Sequence, residues 1–152
     1  MIKDPASRAP ATPQLTPEHF RFWCPEKLRN ADTDQFRHVN NAAIASFLES
    51  GRMELFAEPA ISRLMGGLNV VVGRLTIEFH AEIFYPGEVN IGSTVTYIGR
   101  SSFEVLQGVF RAGTCVASAT ASCVLLQEGR PYAVPDDIRR HLLGKPSSPA
   151  GG

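Results

Sequence analysis

Between residues 32 and 41 the chain reads DTDQFRHVNN, which gathers Asp32, Asp34, His38, Asn40 and Asn41 into ten positions. A carboxylate such as Asp34 can take a proton from water or attack a carbonyl carbon itself. The group stands directly before an apolar-periodic stretch. A helix beginning there would offer free N–H groups and partial positive charge, which stabilise an oxyanion. The plainer use of the same residues is to cap that helix, the ordinary work of Asp and Asn at such a place. Taken alone, the residues leave both uses open.

Other chemistries fit less well. A calcium loop built on the D-x-D fails because Phe36 falls where a third ligand is expected and Arg37 where the turn Gly belongs. His38, His80 and the three cysteines lack zinc-ligand spacing, so no metal is expected. No G-x-S-x-G elbow is present, which argues against a serine hydrolase. Gly99-Arg100-Ser101-Ser102 reads as a hairpin turn, and on sequence alone Arg100 is a solvent-exposed turn residue.

These residues need elements to position them. FRFWCPEKL (20–28) reads as a short strand, with Pro25 pointing to an edge or bulge. A polar loop follows over 29–39. From Asn41 the period changes: Ile44, Phe47, Leu48, Gly51 and Leu55 recur on one helical face. Asn40 or Asn41 serves as N-cap and Pro59 stops the helix. Glu49 and Arg52, three apart on the other side, are expected to pair. After a loop through Met65-Gly66-Gly67, strands are predicted over 70–79, 89–98, 103–110 and 114–126, separated by Gly- and Pro-containing turns. In the last, alternation puts Cys115, Ala117, Ala119, Ala121 and Cys123 on one face. That row of small side chains is expected to receive the long helix. Pro135-Asp136-Asp137 opens a short helix ending near Leu143.

The whole spans 152 residues, enough for one core, with 43% hydrophobic residues. One domain is expected over 19–143, between mobile Pro/Ala/Ser/Gly-rich arms at 1–18 and 144–152. Lys plus Arg equals Asp plus Glu at 15 each, which gives no electrostatic case for nucleic acid. No apolar run suggests a membrane span, and the first residues carry no secretory signal pattern. Three unpaired cysteines fit reduced thiols in the cytoplasm. One helix cannot cover a four-strand sheet, so a second copy is expected to cover the rest.

The order of elements, together with ADTDQFRHVNNA, FLESGR, IEFHAEIFYPGEV, IGRSSFEV and GRPYAVPDDIRRHL, resembles the hot-dog fold thioesterases of the 4-hydroxybenzoyl-CoA thioesterase-like group over residues 20–143. Members read D-x-D, two residues, then G-H-V-N-N. Here Arg37 replaces the Gly, so that the loop is expected either to bend differently or to offer a charge to the substrate, and the usual Pro of the second strand's exit segment is replaced near Glu82. The resemblance implies an α+β hot-dog fold, one long helix wrapped by an antiparallel sheet of about five strands. It implies a homodimer or homotetramer that hydrolyses an acyl- or aroyl-CoA thioester without metal or redox cofactor. It makes Asp34 the catalytic carboxylate, as base or nucleophile, and the Asn41 backbone N–H the oxyanion donor. His38 could serve as an acid or base, but it is expected, with Asn40, to order the loop as a hydrogen-bond partner on the substrate-binding side. Arg100, with Ser101 and Ser102, would lie near the CoA phosphates. Some hot-dog thioesterases place their acid on the helix, where Glu49 stands, although pairing with Arg52 is its simpler role. The rival functions are acyl-carrier-protein thioester hydrolysis and acyl-CoA binding without turnover.

Overall fold

The structure, a computed structural model, describes residues 14–144. Most of the two expected arms lies outside the described residues. Within them Leu15 packs beside Phe20, Phe110 and Cys115, and Pro17–His19 forms a 3-10 turn.

Strand β1 (Phe22–Lys27) leads through a loop to helix α1 (Asn41–Ala57) and a shorter helix α2 (Pro59–Met65). Strands β2 (Asn69–Phe79), β3 (Glu88–Ile98), β4 (Ser102–Arg111) and β5 (Thr114–Gln127) follow. A two-residue β6 (Arg130–Pro131) and helix α3 (Asp136–Leu142) close the chain. The sheet is antiparallel in the order β1-β3-β4-β5-β2, with β6 added to β5. Hence β1 and β2 are its edges. Register shifts at Val72/Arg74, Val95/Tyr97 and Val109/Phe110 are the bulges that curl it.

Helix α1 buries Ile44, Phe47, Leu48, Gly51 and Leu55, the face its periodicity predicts. Pro59 does end it, but only by starting α2: Pro suits the first turn of a helix, and the Glu58 side chain accepts from the Ile61 N–H. The expected loop over 59–65 is therefore helical. Arg52 is a second correction. Instead of pairing with Glu49 outside, it is buried, and its Nη1 donates to Gln107 Oε1 at 2.9 Å. Gln107 Nε2 donates in turn to Leu48 O at 2.8 Å and Ser93 Oγ at 2.9 Å. Burial lowers the guanidinium's pKa, and its Nε has no partner among the described residues.

The row of small residues on β5 also differs from plain alternation. The bulge opposite Val109/Phe110 turns Cys115 to the outer side, against Phe20 and Phe110, and Val116 inward. Ala117 and Ala119 share a cluster with Phe47 and Leu48, whereas Ala121 and Cys123 pack with Leu55, Ile61 and Ile138. Helix and sheet approach each other closely over β3 and β4, at Gly51. A Cβ there would stand 2.5 Å from Ile91 Cγ2 and 3.0 Å from Gln107 Nε2. Gly51→Ala is accordingly expected to cost about 1–3 kcal/mol through overpacking, despite the higher helix propensity of Ala. Urea unfolding checks this; a stabilised variant would show that the helix is free to move away.

Candidate functional site

The loop before α1 is built from its acids. Asp32 is buried, and its carboxylate accepts from the Arg29 backbone N–H and, at 2.8 Å, from Arg29 Nη2. The Arg29 hydrogen bond holds the Asp32 pKa below the usual carboxylate range. The Asn40 N–H donates to Asp32 O at 2.7 Å. Asp32 is thus the anchor of the loop, shut away from any reactant.

Asp34 faces outward. Its Oδ1 accepts from the Phe36 N–H at 2.8 Å and the His38 N–H at 3.2 Å, which fixes the carboxylate plane. Its backbone N–H donates to His38 O, closing a tight turn. Oδ2 carries no bond among the described residues and is open to a reactant. Arg37 lies in this turn at φ 67°. The loop therefore keeps the left-handed bend that Gly would adopt without strain, and an L side chain pays about 1–2 kcal/mol for it. Arg37→Gly is expected to raise stability by up to about 1 kcal/mol, after the loss of unfolded-state restriction is subtracted. A lower urea midpoint would mean that the Arg37 side chain holds the loop.

Asn40 is the N-cap: its Oδ1 accepts from the Ala42 N–H at 2.8 Å. Asn41 is the first helical residue, so its N–H has no intrahelical partner. Asp34, His38 and Asn41 line one cavity of 360 Å³ with Phe79, His80 and Glu82. The far wall comes from the segment after β2, pinned by Val39 N–H to Ile83 O at 2.7 Å and by His80 N–H to Val116 O at 2.9 Å. The His38 ring packs edge-on against Phe84, centroids 5.1 Å apart, and its Nε2 lies 3.6 Å from Glu82 Oε2. Phe79, His80, Glu82 and Phe84 do not stand out as site residues in the sequence. They reach the loop only by tertiary contact; FHAEIF belongs to a segment that carries the resemblance, but nothing local in it assigns these residues to the site.

Arg100, Ser101 and Ser102 are not brought to this cavity. Val134 N–H donates to Arg100 O at 2.7 Å, and Arg139 donates to Ile98 O and Gly99 O, so α3 fastens their turn. The turn lies at the other end of the sheet. Ser102 pairs with Val124 on β5, and Phe79, at the cavity, pairs with Ala117. Those seven residues of strand span roughly 23 Å. Glu49 is exposed on α1 and lines neither the cavity nor an ion pair among the described residues.

The sequence matches the model of the thioesterase-like superfamily over residues 28–142. The fold is similar to a thioesterase from Thermus thermophilus solved with coenzyme A and Zn, at 30% identity and TM-score 0.73, covering 81% of this chain and 98% of that one. It is also similar to a predicted thioesterase from Bacillus stearothermophilus, at 25% identity and TM-score 0.72, covering 83% and 98%. A protein from Pseudomonas aeruginosa strain PAO1 shares the fold at 23% identity and TM-score 0.75, covering 86% and 94%. A search of the curated proteins gave no match.

Proposed function

This chain belongs to the thioesterase-like superfamily and is a thioester hydrolase with the hot-dog fold, and we propose that Asp34 hydrolyses an acyl- or aroyl-CoA to the free acid and CoA. The observation that carries the residue assignment is the open Oδ2 of Asp34 in one cavity with the start of α1. With the thioester carbonyl between them, Asp34 removes a proton from the attacking water, or attacks the carbon to give a mixed anhydride that water opens. On either route negative charge grows on the carbonyl oxygen, where the Asn41 N–H and the helix terminus stabilise it. Collapse of that intermediate expels the CoA thiolate. His38 and Asn40 hold the loop in shape.

The test is release of free thiol, read with DTNB, from CoA esters of graded chain length and aromaticity. Release from at least one supports the reading. Tight binding without release would favour a non-catalytic acyl-CoA binder, and release only from acyl-carrier protein would move the substrate class. The 4-hydroxybenzoyl-CoA thioesterase-like group is the branch whose D-x-D and H-V-N-N pattern this chain carries. Three buried free thiols fit a reducing compartment such as the cytoplasm. No helix among the described residues is long and apolar enough to cross a membrane.

The working unit in this reading is a homodimer, and the sheet supplies the reason. Strand β2 is an edge, and Val71, Val72 and Phe79 on it are exposed. Two copies joined antiparallel along β2 would set the partner's Asn69 end beside this chain's Phe79 end. Arg100 of the partner subunit would then approach the Asp34 cavity, which Arg100 of the same chain cannot do. A phosphate contact made equally in ground and transition states affects KM alone. Arg100→Ala is therefore expected to raise KM for acyl-CoA about ten- to a hundredfold, with kcat nearly unchanged. A thioester of N-acetylcysteamine, which lacks the nucleotide, should not register the change. Mixing Arg100→Ala chains with Asp34→Asn chains should restore one intact site per heterodimer. No recovery on mixing would show that each chain uses its own Arg100 or none.

A further inference from the structure

The cavity that holds Asp34 also holds a second carboxylate, Glu82. Glu82 stands near the position where the resemblance expects a Pro, and the backbone that carries it is held in place. Val39 N–H to Ile83 O on one side, and His80 N–H and Ala81 N–H to Val116 O on the other, pin the segment that carries it. Its nearest polar neighbour is His38, at 3.6 Å between Nε2 and Oε2. The other titratable groups lining the cavity are Asp34 and His80; among the described lining residues none is Lys or Arg, although Arg37 stands in the turn between Asp34 and His38, and the dimer proposed above would bring Arg100 of the partner subunit toward the CoA phosphates. His80 is already engaged outward, its Nε2 2.8 Å from Ser118 Oγ. Arg111 lies behind the wall, where its guanidinium donates to Phe84 O and Pro86 O.

We infer that Glu82 is a specificity-determining residue that makes this site reject acyl groups ending in a carboxylate and accept neutral ones. The inference rests on the Asp34 reading above, because it takes the acyl group to lie in the same cavity. An acyl chain whose carbonyl reaches Asp34 can run along the cavity wall that carries Glu82. A terminal carboxylate on that tail would meet two like charges, Asp34 and Glu82, both of them exposed to solvent. Like charges in one cavity repel by enough to change affinity severalfold even at intermediate effective dielectric. Asp34 contributes to that field too, but it cannot be removed without losing turnover. Glu82 is the charge that can be removed while chemistry continues, and its role as partner of His38 is a weak one for an exposed pair at this distance.

The experiment compares hexanoyl-CoA with adipoyl-CoA, which differ only in the terminal carboxylate, at pH 8. The wild-type enzyme is expected to favour hexanoyl-CoA strongly. Glu82→Gln, which keeps the shape, should raise the adipoyl-to-hexanoyl ratio of kcat/KM about five- to tenfold. Glu82→Lys should raise it further, and the gain should shrink at high salt as the charges are screened. Glu78→Gln is the control. Glu78 lines a neighbouring cavity on the outer face with Leu106 and Cys115, which meets the Asp34 cavity only at His80, and its loss should leave the ratio unchanged. An unchanged ratio in Glu82→Gln, or an equal rise in Glu78→Gln, overturns the inference. Asp34→Asn is assayed on hexanoyl-CoA alongside. Full turnover there would defeat the site assignment itself, a failure distinct from that of Glu82.

Discussion

Asp34→Asn is expected to lower kcat by roughly 10²–10⁴-fold and to leave the fold intact. The amide keeps an oxygen at Oδ1 to accept from the Phe36 and His38 N–H groups, so the turn survives. What is lost is the second oxygen's charge, and with it both the base and the nucleophile. Asp34 is exposed, so the substitution disturbs no core contact. KM should change little, because the rest of the substrate is held elsewhere. Asp32→Asn provides the contrast. That carboxylate is buried against Arg29 and faces no cavity, so the change should show mainly as lost stability and only secondarily as lost rate. Steady-state rates and urea midpoints on both variants separate the roles. An Asp34→Asn enzyme with near-normal kcat, or an Asp32→Asn enzyme that is folded but equally dead, would reverse the assignment.

The second large effect lies in the core. Gln107→Leu is expected to destabilise the protein by about 3–5 kcal/mol. Gln107 is fully buried and is the shared partner of Arg52 Nη1, Leu48 O and Ser93 Oγ. Leucine fits the volume roughly but leaves a buried guanidinium without an acceptor, and uncompensated buried charge is among the most costly defects in a core. Arg52→Met should be far milder. It removes the charge together with its need for a partner, and the long apolar chain fills the same channel. Denaturant unfolding of both variants checks the pair. Equal losses would mean that Arg52 contributes packing alone, and a harmless Gln107→Leu would mean that water reaches the guanidinium.

Local pattern carries much of the fold. The apolar face of α1 and the spans of β2 to β5 follow from periods of 3.6 and 2, which a strand or helix imposes on any sequence that folds that way. The N-cap at Asn40 is legible for the same reason: it is a contact between residues two apart. The departures share one cause. Arg52 reads as outward because Glu49 is near in sequence, while Gln107, the partner it bonds, is 55 residues away. Cys115 falls on the wrong face because a bulge shifts alternation by one, and the bulge is a property of the β4–β5 pairing. Helix α2 reads as loop when Pro59 is taken only as a stop, although Pro is equally at home in a first turn.

Spacing along the chain is enough to give the element order and the helix that follows the acids; that the D-x-D and H-V-N-N residues point to a thioesterase comes from the family resemblance, not from spacing. Spacing is what a sequence records. Which acid is available is a matter of folding. Asp32 and Asp34 are two residues apart and chemically alike, yet Arg29 closes over one and the other opens into a cavity. Folding also parts Arg100 from Asp34 by the length of the sheet and sets Glu82 beside His38. The reason is that strand pairing converts positions far apart in sequence into neighbours, and holds others apart by about 3.3 Å per residue.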